Sequence, residues 1–177
     1  VYFFSNENNS IIVKQDTITN EFLDLLEKHQ GIVHKVCRIY ERAEEDRKDL
    51  FQQIICNAWQ GYQRFRKDAQ FSTWLHKVAL NTALSYKRKT EHQASTKQMD
   101  SLDKVYHIAE KGQEPMPYED LYSAIAQLNK VEKAIIFLYL EDKSYQDIAE
   151  ITGITEGNLR VKLNRIRKKL KLILETS

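Results

Sequence analysis

Glycine, proline and cysteine are all scarce in this chain. Five glycines and two prolines in 177 residues, with 29% charged residues and long stretches of 3.6-residue periodicity, point to an all-helical protein. Two cysteines, Cys37 and Cys56, are too few for a disulfide framework. Each falls inside a helical pattern, so both read as buried reduced thiols of a cytoplasmic protein. No apolar run approaches the ~20 residues of a membrane span, so no membrane insertion is expected. The first ten residues lack the basic start and apolar core of a signal peptide. There is no P-loop, no G-x-S-x-G and no H-E-x-x-H, and no enzyme, metal or cofactor is expected. His34 and Cys37 share a helix face, but two ligands without a second pair make a core pair rather than a zinc site.

Charge is present but unevenly placed. The net charge is only +2, yet cations gather at Lys87-Arg88-Lys89 and from Arg160 to Lys171. Acids gather at Glu41 to Asp49 and Asp100 to Asp120. Patches of opposite sign imply two kinds of partner, nucleic acid and something else.

The periodicity divides the chain. Residues 1–19 are polar and Asn-rich after Tyr2-Phe3-Phe4, and read as a mobile arm. Residues 20–90 form a first helical domain, with Gly31 expected to bend its first helix, another helix starting near Asp49, and one from Phe71 to about Lys89. Residues 91–116 lose the pattern and end in Pro115-Met116-Pro117, a linker signature that leaves room for one helical turn at Val105 to Ala109. Residues 117–177 form a second domain. The expected fold is therefore two small helical domains on a flexible tether.

The second domain ends in a helix-turn-helix. Ser144 with Asp147 is an S-x-x-D start signal, Gly153 suits the sharp exit, and Thr155 suits an N-cap. Leu159, Leu163, Ile166, Leu170 and Leu174 make one apolar stripe of the last helix. The other face carries Asn158, Arg160, Val161, Asn164, Arg165 and Lys168, which suit base edges and phosphates in a major groove. The same pattern also fits a solvated basic helix or one that docks on an acidic partner.

Two faces of the first domain are chemically distinct. Asp49, Gln52, Gln53, Cys56 and Gln60 lie opposite the apolar stripe of their helix, an acid and amide face suited to a basic protein surface or to solvent. In the next helix Phe71, Trp74, Leu75, Val78 and Tyr86 read as buried, while Thr73, His76, Lys77, Asn81 and Arg88 point elsewhere. Hydroxyl, amide and cation on one face suit single-stranded DNA. Trp59 and Trp74 lie on the apolar stripes and read as core.

These segments together resemble the bacterial extracytoplasmic-function (ECF) sigma factors, small specificity subunits of RNA polymerase. The resemblance covers about Phe22 to Lys89 and Tyr118 to Leu174. Asp49-Leu50-Phe51-Gln52 with Ala58-Trp59 matches the family's D-L-x-Q…A-W. Phe71-Ser72-Thr73-Trp74-Leu75 through Val78-Ala79 to Asn81 matches F-x-T-W-L-x-x-[IV]-A-x-N, and Ser144 to Leu159 matches the second-module motif.

The resemblance implies that Asp49, Leu50, Gln52 and Gln53 engage the β′ clamp helices of core polymerase, with the β flap as a further contact. It implies that Lys67, Asp68, Ala69, Gln70, Phe71, Ser72, Thr73, Trp74, Lys77 and Asn81 capture unpaired −10 bases, with Lys87 and Arg88 on the backbone. Thr155, Glu156, Asn158, Arg160, Val161, Asn164 and Arg165 would meet the −35 element, with Lys162 and Lys168 nearer phosphates. It further implies a monomeric, non-catalytic initiation factor that melts promoter DNA and meets an anti-sigma partner. The departures at Gln53, Leu80, Ser85 and Val161-Lys162 bear on promoter preference rather than fold. The competing reading is a polymerase-independent helix-turn-helix repressor or activator.

Overall fold

The computed structural model describes the backbone of residues 5–65, 70–86 and 118–176, and side chains from Thr17 onward within those ranges. Among the described residues there are seven helices and no strand. They are α1 (Ser5–Tyr40), α2 (Glu44–Tyr62), α3 (Phe71–Ser85), α4 (Glu119–Ile125), α5 (Lys130–Leu140), α6 (Tyr145–Thr152) and α7 (Glu156–Thr176). The 91–116 segment, with its expected turn at 105–109, lies outside the described residues.

α1 to α3 pack as one bundle because each buries a helical stripe. Phe22, Leu26, Val33 and Val36 come from α1, Leu50, Ile54 and Ala58 from α2, and Leu75, Ala79 and Ala83 from α3. Burying each large side chain contributes about 1.5–3 kcal/mol relative to exposure. One end of this core is aromatic. Phe22 lies 5.2 Å from Trp59 and Tyr62, and Phe71 lies 5.4 Å from Trp74 between ring centroids. Both tryptophans pack against the core, as their stripes predict. Cys37 and Cys56 are free; Cys37 is buried, and burial pushes its thiol far up, whereas Cys56, expected to be buried, is only half-buried.

Several local expectations are corrected. α1 is already helical at Ser5, so the expected arm over 1–19 has regular structure from there on. No glycine or proline interrupts residues 5–19, so nothing in the backbone stops a helix there. Gly31 does not break α1 either, because Ile32 and Val33 directly after it are held in the core, as is Leu26 before it. A Cβ added at Gly31 would meet nothing within 4 Å. Gly31→Ala is therefore expected to stabilise the chain by about 0.5–1 kcal/mol, read as a rise in the thermal midpoint. A fall would mean that the helix needs a glycine there.

α2 starts at Glu44 rather than near Asp49. Glu44, Glu45 and Asp46 stand in its first turn, where negative charge complements the helix dipole, and Lys48 pairs with Glu44 at 2.8 Å. α3 ends at Ser85, short of Lys89. The Ser85 hydroxyl donates to the Asn81 and Thr82 carbonyls at 2.8 and 3.1 Å, and Tyr86 turns extended.

The second bundle closes around Ile125, Ile135, Leu138, Ile148, Leu159 and Ile166. α5 begins with a capping box: the Asn129 side chain accepts from the Val131 and Glu132 amides, and the Glu132 carboxylate accepts from the Asn129 amide. The stripe of α7 continues through Ile173, not Leu174, which is 42% exposed. Steps of four, three and four to Leu170 are followed by three, as a 3.6-residue repeat requires.

The two bundles pack on each other, α1 against α4 and α5, and α3 against α5 and α6. This explains the main departure in α3. His76, expected to point away from the core, is 2% exposed, and Leu80 is buried with it. α3 has two buried sides because it lies between its own bundle and the second one.

Candidate nucleic-acid interface

The helix-turn-helix is built by its local chemistry. The Ser144 hydroxyl accepts from the Asp147 amide at 3.0 Å, and the Asp147 carboxylate accepts from the Ser144 amide at 3.3 Å. These bonds satisfy free amides at the start of α6. Gly153 ends α6 at φ 72, a conformation that L side chains rarely adopt. Ile148 and Ile151 are buried, and α7 starts directly after Thr155, whose carbonyl accepts from the Leu159 amide.

The outer face of α7 is open. Thr155, Glu156, Asn158, Arg160, Val161, Lys162, Asn164, Arg165 and Lys168 are all exposed. Val161, at 52%, is a large apolar side chain left in water among cations and amides. The Arg160 guanidinium sits 5.0 Å from the centre of the Tyr145 ring, a cation–π contact that aims a flexible side chain. Lys169, by contrast, donates to Glu132 at 3.0 Å and braces α7 on α5. Burial works against the Glu132 charge, but the Lys169 and Asn129 bonds outweigh it and hold its pKa below the usual carboxylate value.

On α2, Asp49 and Gln53 are exposed and Gln52 is half-buried, forming one surface. Leu50 does not join them. It is 0% exposed and belongs to the core, so it holds the helix that presents the face.

The α3 side of the molecule is more mixed. Gln70, Lys77 and Asn81 are exposed, Ser72, Thr73 and Trp74 are half-buried, and Phe71 is buried at the hub of the aromatic cluster. Lys67, Asp68, Ala69, Lys87 and Arg88 lie outside the described residues.

Sequence reasoning missed the group that faces α3 from the second bundle. The Glu141 carboxylate accepts from Lys35 at 2.6 Å and lies 3.8 Å from His76 Nε2. His76 Nδ1 is 2.6 Å from the Ser72 carbonyl and donates to it in the matching tautomer. The contact with Glu141 is then attractive only with both ring nitrogens protonated. His76 and Lys35 hold the Glu141 pKa down to about 2 against the opposing effect of burial. Lys143 donates to the Thr73 hydroxyl at 3.4 Å, and Lys77 stands 3.9 Å from Glu150. No periodicity signals these pairs, since the partners lie about 70 residues apart or more.

Among the described residues no group of three or more His, Cys, Asp or Glu side chains is placed to hold a metal ion. His34 stacks instead on Phe51 at 4.7 Å. No described helix is long and apolar enough to cross a membrane.

Known proteins share both halves of this arrangement. Residues 25–93 match sigma-70 region 2, and residues 118–170 match sigma-70 region 4. Together the two matches span more than two thirds of the chain. The ECF RNA polymerase sigma factor SigM of Mycobacterium tuberculosis is 26% identical over 154 residues, 86% of this chain and 76% of that one. RNA polymerase sigma factor SigV of Bacillus subtilis is 26% identical over 163 residues, 91% of this chain and 95% of its own. Two solved structures share the fold. The sigma factor RpoE of Bartonella quintana, in complex with the anti-sigma factor NepR, has a TM-score of 0.63 at 18% identity and covers 88% of this chain and 97% of its own. CnrH in complex with the cytosolic domain of CnrY has a TM-score of 0.62 at 19% identity, with 90% of each chain covered. With both sigma regions present in order, the chain belongs to the ECF family of RNA polymerase sigma factors.

Proposed function

We propose that this sigma factor divides its work among three faces: Asp49, Gln52 and Gln53 for core polymerase, the α3 face for unpaired −10 bases, and the outer face of α7 for −35 duplex. The β′ clamp helices would receive the first face, and the β flap would meet the second bundle. The observation that carries the reading is the contrast in chemistry between α7 and α2. The α7 face is cationic and amide-rich with one apolar group, as base edges and phosphates require. The α2 face carries two amides and no cation, and its one charge is an acid that DNA phosphates would repel.

Domain limits of 20–90 and 117–177, with 91–116 between, assign one reader to each bundle. Tethering makes the second binding event intramolecular, so each face needs only modest affinity. On this reading the chain acts in the cytoplasm as a monomer, contributes no catalytic step of its own, and is withheld from polymerase by an anti-sigma partner. A polymerase-independent repressor would leave the region 2 bundle without a role.

Within α7, Arg160 is assigned to a base edge and Lys168 to phosphate. Selection of bound duplexes from a randomised library by the reconstituted holoenzyme separates these roles. Arg160→Ala is expected to cost about 1–3 kcal/mol and relax one base position, whereas Lys168→Ala weakens all sequences alike. Tyr145→Leu, which removes the ring beneath Arg160, should relax the same position, and Tyr145→Phe should not. Uniform weakening by Arg160→Ala would remove it from base reading.

A further inference from the structure

We infer that Val161 and Gly157 on α7 form an apolar notch that takes the 5-methyl group of one thymine in the −35 duplex. The inference rests on the reading of α7 as the −35 reader and names the base chemistry that one part of that face accepts. It starts from two residues that folding does not explain. Between Arg160 and Lys171 every exposed side chain except Val161 is an arginine, a lysine or an asparagine. Val161 is 52% exposed, an apolar side chain that the core does not take up. A β-branched residue loses rotamer freedom in a helix, so at an open position it stabilises α7 less than the straight-chain cations around it.

Gly157, one turn earlier, is the second. It lies within α7 without a left-handed backbone, and a Cβ added there would meet nothing within 4 Å. Neither a turn nor a close packing neighbour therefore asks for glycine, which loses more conformational freedom on folding than any other residue. Two local choices that work against the helix stand four positions apart on its open face, and breaches of local preference gather where function requires them.

The spacing makes the two residues one feature. Side chains four apart on a helix are neighbours, and each leans back over the turn before its own. The Val161 methyl groups thus border the empty position at Gly157, where the backbone is open to close approach. Asn158, Arg160 and Asn164 are exposed beside these two positions, with Arg160 held on the Tyr145 ring.

The partner follows from the chemistry of the groove. Base edges in the major groove present donors and acceptors, and a single apolar group, the thymine methyl. A rigid apolar branch over bare backbone can bury that methyl. It offers no partner to the amino group that cytosine or adenine presents, and leaving such a group unpaired is costly. Nor does it meet phosphate, so the notch adds specificity rather than salt-dependent affinity.

The test uses the reconstituted holoenzyme and the duplex that it selects from a randomised library. Each thymine of the −35 box is replaced in turn by uracil, which lacks only the methyl group. At one position uracil should weaken wild-type binding about fourfold, the worth of one buried methyl group. Val161→Ser should bind the thymine and uracil duplexes alike at that position, whereas Val161→Thr, which keeps one γ-methyl, should retain the preference. Gly157→Leu fills the notch with a good helix former, so its thermal midpoint should not fall, yet the uracil effect should vanish. A selected box without thymine, no uracil effect at any position, or an effect that Val161→Ser leaves unchanged overturns the inference. A lower midpoint for Gly157→Leu also overturns it, since the glycine would then serve the fold. Arg160→Ala tells this failure from that of the underlying reading. If neither Arg160→Ala nor Val161→Ser alters the selected box, α7 is not the reader and the inference falls with it.

Discussion

Replacing Asp49 and Gln52 together by alanine is expected to abolish co-elution with bacterial core RNA polymerase while leaving the fold intact. The two side chains stand one turn apart on α2, Asp49 exposed and Gln52 half-buried, above a helix fixed by Leu50, Ile54 and Ile55 in the core. Truncating surface groups of this kind usually changes stability by no more than about 0.5 kcal/mol. Hot-spot residues of an interface cost about 2 kcal/mol or more each. Two such losses weaken binding roughly a thousandfold, enough to lose a complex on a sizing column. Leu50→Ala is a different experiment. It opens a cavity in the bundle and is expected to cost about 2–5 kcal/mol of stability, so lost binding there would say nothing about contact. Retention of the complex by the folded double variant would move the polymerase contact off α2.

The second large effect is on Phe71. The resemblance places this residue among those that capture −10 bases, but the structure makes it the hub of the aromatic cluster. Its ring lies 5.4 Å from Trp74, 6.0 Å from Tyr62, 6.2 Å from Phe65 and 6.5 Å from Phe22. Phe71→Ala is expected to destabilise the first bundle by about 3–5 kcal/mol, since it removes a buried ring and leaves its neighbours unsupported. Thr73→Ala, at a half-buried hydroxyl beside it, should leave the melting curve within about 0.5 kcal/mol of wild type. Urea or thermal melts give both numbers. If Phe71→Ala melts like wild type yet loses DNA, the ring is a reader rather than a support. Trp74 shares this duality: it packs on Phe65 at 5.0 Å, and a Cβ on Gly61 would meet its ring at 3.2 Å.

What the sequence revealed most clearly was determined by neighbours in the chain. The Ser144–Asp147 capping box, the left-handed Gly153 and the α7 stripe to Leu170 each depend on residues within a few positions of one another. The faces of α2 and α7 followed for the same reason: a helical period tells inside from outside when a helix has one buried side. It failed on α3, which has two. His76 and Leu80 are inside because α5 and α6 cover them, and no pattern within α3 carries that information. The pairing of Lys169, one of the cations that gather from Arg160 to Lys171, was hidden for the same reason, because its partner Glu132 lies in another helix. The start of α1 was missed for a weaker reason. A polar stretch without glycine or proline has nothing to stop a helix, yet offers no stripe strong enough to announce one.

As a sigma factor, this chain gives core polymerase its choice of promoter. Transcription by core polymerase on genomic DNA from the organism that carries this gene, with and without the protein, followed by mapping of transcript 5′ ends, tests it most directly. A discrete set of new start sites is expected, each preceded by two shared boxes at fixed spacing. The set should disappear with the Asp49→Ala, Gln52→Ala protein. The same start sites with and without the protein would contradict it.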